Sequence, residues 1–222
     1  MSNEQKMLRT DVYDQLRERM LNGDLRAGQF VSQRELMELL GVTMNPVREA
    51  IRKLEVEGLI NVYPQRGIQI IEAGSKAIND AYDFRLLLES DAIRYFASNA
   101  DEAEIEAVEA GVRLLLGELH KSPSSRQVRM RALDEDYEFH KRIVALRRNE
   151  IVNRYYSLNA ARLRLFRINL GEPLARLDIA AKEHLEILSA CRARDIDNAI
   201  RLLQNHIEIS REHTLGIRPM RR

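Results

Sequence analysis

Three of the chain's five histidines fall at spacings that can gather around a metal ion. His140 follows Asp136 by four residues. On a helix those two positions share a face, so a carboxylate and an imidazole can hold one ion. His184 and His206 sit on two helical patterns that meet near Arg194-Asp195, His184 before the bend and His206 after it. At 1.5 Å per residue they stand about 15 Å and about 18 Å from that bend, nearly level across an antiparallel pair. Three imidazoles and one carboxylate can then converge inside a bundle, which is where helical proteins build metal sites. His213 lies about 10 Å further along the same axis, too far for that ion. His120 ends a helix beside Lys121, where it complements the helix dipole. Spacing alone leaves the alternative open that each histidine is separately a hydrogen-bonded core residue or a surface one.

A second set of residues can do a different chemistry. Val47, Ala50, Ile51 and Leu54 fall on one face of a short helical pattern, which directs Asn45, Arg48, Arg52 and Lys53 outward. A helix of this kind can enter a major groove with its first residues at base edges, and Arg48 can pair with guanine through two hydrogen bonds. Arg66 stands at the tip of a Pro64-Gln65-Arg66-Gly67 turn, where it can enter a minor groove or grip phosphate. The alternative is that these arginines only solvate a surface.

The elements that must position these residues are legible from pattern. A first helical pattern carries Val12, Leu16, Met20 and Leu21 and stops at Asn22-Gly23. A second opens at Ser32-Gln33-Arg34-Glu35, a capping box with Val31 and Leu36 as its hydrophobic staple, and ends at Gly41. The third is capped by Thr43 or Asn45, with Pro46 in its first turn. Two helices joined by a tight Gly-containing turn make a helix-turn-helix. Ile60-Asn61-Val62-Tyr63 and Ile68-Gln69-Ile70 alternate on either side of the Pro/Gly turn and read as a hairpin, a wing. Residues 75–213 are helical almost throughout, with breaks near 121–125 and 169–173, and six helices are expected over about 75–99, 102–120, 126–147, 149–168, 175–193 and 195–213. The fold class is therefore mainly α: a winged helix-turn-helix over 1–73, then an all-α six-helix bundle over 75–215. The tail 218–222 is expected to fray.

Composition narrows the function classes. The chain has 222 residues and a formal net charge of +1, so any nucleic-acid binding rests on a local patch and not on a basic coat. Residues 1–73 themselves carry no net basic excess. No apolar run reaches the roughly 18 residues of a membrane span, and the first residues lack the apolar core of a secretion signal. The single cysteine, Cys191, excludes an intrachain disulfide. A cytoplasmic location is expected. Aromatic residues are 5% and Trp is absent, which argues against a single-strand stacking platform.

The run from Val42 to Ile60, Val42-Thr43-Met44-Asn45-Pro46-Val47-Arg48-Glu49-Ala50-Ile51-Arg52-Lys53-Leu54-Glu55-Val56-Glu57-Gly58-Leu59-Ile60, resembles the signature of GntR-family bacterial transcription regulators. So do Gly28-Gln29-Phe30-Val31-Ser32-Gln33-Arg34-Glu35-Leu36 and the wing's Gln65-Arg66-Gly67. The resemblance implies that Arg34, Arg48 and the wing around Arg66-Gly67 contact DNA. The candidate contacts are thus Arg34, Thr43, Asn45, Arg48, Arg52, Arg66 and Gly67. Met44 stands where the family commonly has arginine. In the second half, Asp136-Tyr137-Glu138-Phe139-His140, Glu183-His184, Asp195-Ile196-Asp197-Asn198-Ala199 leading to His206, and Arg85-Leu86-Leu87-Leu88-Glu89 resemble the FCD domain of the FadR-type branch, with six helices pointing to the VanR-like subgroup. That resemblance implies a divalent metal on Asp136, His140, His184 and His206, and a small organic acid beside it.

The expected protein is a homodimeric regulator, a repressor in the usual family manner, reading two half-sites of a near-palindromic double-stranded operator. A carboxylate effector would fill open positions on the ion and shift the arrangement of the sensor domain. Zinc is the first expectation, with nickel, iron and manganese compatible with the same donors. Arg85 is the first candidate for the effector's second anionic group and Arg162 the second. Arg85 also has Glu89 four residues on, an obvious structural ion pair. Two rivals use the same cluster. A metalloenzyme would activate water there, but no general base or nucleophile is identifiable, and Glu135 and Glu138 face away from the ligand positions. A metal sensor would treat the ion itself as the signal.

Overall fold

The computed structural model describes residues 3–121, 125–171 and 173–217, with side chains from residue 12 onward. The tail at 218–222 and the middle of the expected break at 121–125 lie outside the described residues. The chain divides into two compact units, 1–77 with Ala161–Leu170, and Ile78–Ala160 with 171–222.

The first unit contains α1 (Asn3–Leu21), β1 (Phe30–Val31), α2 (Gln33–Leu40), α3 (Met44–Val56), β2 (Ile60–Tyr63) and β3 (Gly67–Ile70). Val12, Leu16 and Met20 form one buried stripe of α1, as helical spacing requires, and pack with Val47, Ala50, Ile51 and Leu54 of α3. The capping box of α2 is complete: Ser32 Oγ accepts from the Glu35 N–H at 3.1 Å, and Glu35 Oε2 accepts from the Ser32 N–H at 2.6 Å. The bond from the Ser32 N–H, and after it one from the Ser32 side chain, holds the Glu35 carboxyl below its ordinary range. Gly41 closes α2 at φ +63°, a left-handed conformation that glycine adopts without a Cβ penalty.

Thr43 is the residue at the start of α3, and its side chain makes no capping bond. The wing hairpin pairs Ile60 with Ile70 and Tyr63 with Gly67. β1 adds a third strand beside β3, with Val31 opposite Ile68. Two residues are too short to show a period, which is why the pattern reads the wing as a two-stranded hairpin.

The same unit takes in the last part of α7 (Glu150–Asn169). Ala161 and Leu165 join its core. Asn169 Oδ1 accepts from the Ala27 N–H, and Arg164 Nε donates to the Leu21 carbonyl. The hydrophobic period of this stretch marks a helix but not which core receives it.

The second unit is helical among the described residues: α4 (Ser75–Asn99), α5 (Glu102–Lys121), α6 (Arg126–Ala145), the first part of α7, α8 (Leu174–Arg192) and α9 (Ile196–Thr214). These six match the expected ones to within three residues at each end. Phe96, Val112, Leu133, Ile187, Leu203 and Ile207 are among its buried apolar residues. α8 is central, packing on α5, α6 and α9. The α8–α9 bend turns on Arg194 at φ +58°, and Asp195 caps α9 by accepting from the Asn198 N–H. Arg194 Nη1 and Nη2 also donate to the carbonyls of Ala97 and Ala100, which ties the bend to the end of α4. No helix among the described residues is long and apolar enough to cross a membrane.

Candidate metal centre and nucleic-acid interface

The central position of α8 sets His184 between α6 and α9. Asp136 and His140, one helical turn apart on α6, face it from one side, and His206 on α9 faces it from the other. One ligand atom from each of the four residues lies within 4.8 Å of the other three, and all four residues are buried. His140 Nε2 and His206 Nε2 are 3.2 Å apart, as are His184 Nε2 and His206 Nε2. Asp136 Oδ1 is 3.8 Å from His184 Nε2.

Carboxylates decide which nitrogen of two rings is bare. Glu89 Oε2 lies 2.6 Å from His140 Nδ1, and Glu183 Oε2 lies 2.6 Å from His206 Nδ1. An ionised carboxylate only accepts, so each Nδ1 carries the proton and each Nε2 presents a lone pair. Two lone pairs at 3.2 Å repel unless a cation stands between them. A carboxylate behind a ligating imidazole also fixes its orientation and raises its basicity. Burial, then the neighbouring imidazoles, hold His184 and His206 well below the ordinary imidazole range, so both are neutral and free to ligate. Phe139 stacks on His184 with ring centroids 3.7 Å apart, closing the cluster on its apolar side. The donor set fits a divalent transition ion.

Guanidiniums in turn hold those carboxylates. Arg85 Nε donates to Glu89 Oε1 at 2.8 Å, and both residues are buried. Burial opposes the Arg85 charge, but Glu89, with Tyr156, Asp136 and Tyr82 behind it, outweighs that cost and keeps the guanidinium ionised. Burial also lifts the Glu89 carboxyl, with Arg85 the first of the groups that oppose this; Tyr156 adds a hydrogen bond to the same carboxylate. Arg85 Nη2 is buried with no hydrogen-bond partner among the described residues. On the other arm, Arg176 Nη2 donates to Glu183 Oε2 at 2.9 Å and to Ser210 Oγ at 3.0 Å.

The expected cluster of four is thus brought together, with Arg85 one carboxylate away. Arg162, the second expected effector contact, is instead held within the first unit. Its Nη2 donates to the Glu57 carbonyl in the first unit, and a Cβ on Gly58 would stand 1.8 Å from that nitrogen. Helical period gives no sign that α7 changes cores one residue before it. His120 lies 3.4 Å from Asp178 at the end of α5, outside the cluster. Glu138 pairs with Lys141, away from the ligand atoms. Glu183 and Arg176 are functional candidates that sequence reasoning missed. The adjacency Glu183-His184 was a signal, but the carboxylate serves His206, on the next helix.

In the first unit Arg34, Thr43, Asn45, Arg48, Arg52 and Arg66 are all exposed. Arg48 Nε donates to Gln33 Oε1 at 3.2 Å, joining the first turns of α2 and α3, and Arg34 pairs with Glu38. Lys53 instead lies over the Tyr13 ring at 5.2 Å. Gly67 has φ +97°, and a Cβ there would come within 2.9 Å of the Val31 carbonyl oxygen, so packing of the wing requires glycine irrespective of DNA.

Residues 8–70 match the family described as bacterial regulatory proteins of the gntR family, and residues 80–209 match the FCD domain. The chain belongs to the GntR family, in the branch that carries an FCD domain. Among its relatives is the Nta operon transcriptional regulator of Aminobacter aminovorans, 30% identical over 82% of this chain and 83% of that one. The transcriptional repressor NanR of Klebsiella aerogenes is 27% identical over 91% of this chain and 84% of that one. Among solved structures, McbR/YncC of E. coli shares the fold with a TM-score of 0.78, covering 94% of this chain and 97% of that one at 18% identity. This GntR-family chain is accordingly a DNA-binding transcriptional regulator and not an enzyme.

Proposed function

We propose that this regulator is a repressor whose operator affinity is set by a small carboxylate bound beside a metal ion in the FCD domain. The supporting observation is the convergence of three imidazole Nε2 atoms and the Asp136 carboxylate, with two of the rings held from behind by Glu89 and Glu183. Asp136, His140, His184 and His206 hold the ion, zinc first and nickel, iron or manganese next by the same donor chemistry. Bound there, a divalent ion supplies a Lewis-acidic docking point for a carboxylate. Arg85, whose Nη2 lacks a partner among the described residues and whose Nε holds Glu89 behind His140, donates to the acid beside the ion.

On the DNA side Thr43, Asn45, Arg48 and Arg52 approach the major groove from α3. Arg34 and the wing with Arg66 and Gly67 meet the backbone and the neighbouring groove. A homodimer acting in the cytoplasm presents two such readers to a near-palindromic operator. The effector acts by binding one arrangement of the sensor helices more tightly than another.

The test combines metal analysis of the purified protein with operator titrations at fixed salt. Zinc bound at one ion per chain, and an operator affinity that changes on adding organic acids to the metal-loaded protein, are expected. If chelation alone switches DNA binding and no acid does, the cluster is a metal sensor and this reading is wrong.

A further inference from the structure

Arg176 is the largest fully buried side chain among the described residues, at 1% exposure. A guanidinium carries five N–H donors. Only Nη2 is used, towards Glu183 and Ser210. Nε and Nη1 are buried with no hydrogen-bond partner among the described residues. A buried cation with unmade hydrogen bonds is costly, and such groups persist where something else satisfies them.

The surroundings point to what that is. Along α9, His206, Ser210 and Thr214 recur every four residues and are all buried. Along α4, Tyr82, Arg85 and Glu89 do the same at helical spacing. The Tyr82 hydroxyl and Thr214 Oγ1 are 2.8 Å apart and join the two stripes. Positions that would ordinarily fill a core with aliphatic side chains are polar here. They run from the histidine cluster towards the first turns of α8, where Arg176 lies. Glu183 Oε2 accepts from both Arg176 Nη2 and His206 Nδ1, so the guanidinium and the cluster are separated by one carboxylate oxygen. Counting Asp136, Glu89 and Glu183 against Arg85, Arg176 and a divalent ion leaves this interior positively charged.

We propose that Arg176 is a second anchor for the effector, which is therefore a small dicarboxylate: one carboxylate faces the His/Asp cluster and the other accepts from Arg176 Nε and Nη1. This rests on reading the cluster as an effector-binding metal site. It assigns the specificity for a second negative charge to a residue on α8 that the sequence pattern does not single out.

The test uses full-length zinc-loaded protein and matched acids: malonate with propionate, succinate with butyrate, glutarate with valerate. Each pair differs by one carboxylate at equal chain length. Calorimetric titration is expected to show at least one diacid binding tenfold or more tightly than its partner. Arg176→Gln is expected to erase that ratio while zinc content and helical circular dichroism stay unchanged. Arg176→Lys keeps the charge beside Glu183 but lacks the planar set of donors, and is expected to reduce the ratio several-fold if the glutamine variant does not fold. Monoacids binding as tightly as diacids, or a ratio unchanged in both variants, overturns the role of Arg176 and leaves the metal site standing. Wild-type protein that takes zinc but binds neither kind of acid overturns the effector reading itself.

Discussion

His140 Nε2 and His206 Nε2 face each other at 3.2 Å while the opposite nitrogen of each ring is held by a carboxylate, Glu89 for one and Glu183 for the other. Neither ring can turn its proton inward without losing a buried charge-assisted hydrogen bond. The pair is therefore built as two donors to one cation. Removing His184, the third imidazole, is expected to lower zinc affinity far more than removing a carboxylate behind a ring. Glu183→Gln, which still accepts at one oxygen, is expected to cost about 10–100-fold in metal affinity. Competition against a chromophoric chelator reads both. A Glu183→Gln protein with wild-type affinity would show that the carboxylate serves only Arg176.

Much of this was legible because period and spacing are local. Asp136 and His140 share a face by the helical repeat, and His184 and His206 are nearly levelled by similar arms from the bend at Arg194. The capping box at Ser32 and Glu35 and the Gly41 stop are likewise written in adjacent residues. What escaped depends on contacts across helices. Glu183 sits next to His184 in the chain yet serves His206, and Arg176 reaches the same carboxylate from seven residues away. Arg162 escaped for a related reason: α7 is one continuous helix, so nothing in its period marks where its packing passes from one core to another.

Arg48 is exposed, and among the described residues its guanidinium is held by Gln33 at 3.2 Å, a bond that a base edge can replace. Arg48→Ala is expected to weaken operator binding by about 1–3 kcal/mol and to relax preference at one base pair. Met44, at the first position of α3, adds no charge there. Met44→Arg is expected to tighten binding to unrelated DNA and to steepen the salt dependence by about one phosphate contact. Anisotropy titrations over a salt series separate the two. An unchanged slope for Met44→Arg would place that side chain away from the DNA backbone.

Gly67 combines φ +97° with a potential Cβ only 2.9 Å from the Val31 oxygen. An alanine must strain the backbone or push β1 off β3. Gly67→Ala is expected to destabilise the first unit by about 1–3 kcal/mol. Chemical denaturation followed by circular dichroism measures it. Metal content should not move, because the cluster lies in the second unit. Loss of DNA binding with full stability would instead make Gly67 a direct DNA contact.

Cys191 lies in the core of the helical unit on α8, fully buried. Burial pushes its thiol up to about 12, against a smaller opposing pull from Arg194. The thiolate is the reactive form, so at pH 8 the folded protein should react with a disulfide reagent only through opening of the bundle. Reaction is expected to be slow in the native state and to release one equivalent at once in denaturant. Because the metal ligands hold α6, α8 and α9 together, stripping the ion should speed the native reaction. A rate indifferent to chelation would mean that the opening that exposes Cys191 does not separate the helices carrying Asp136, His140, His184 and His206.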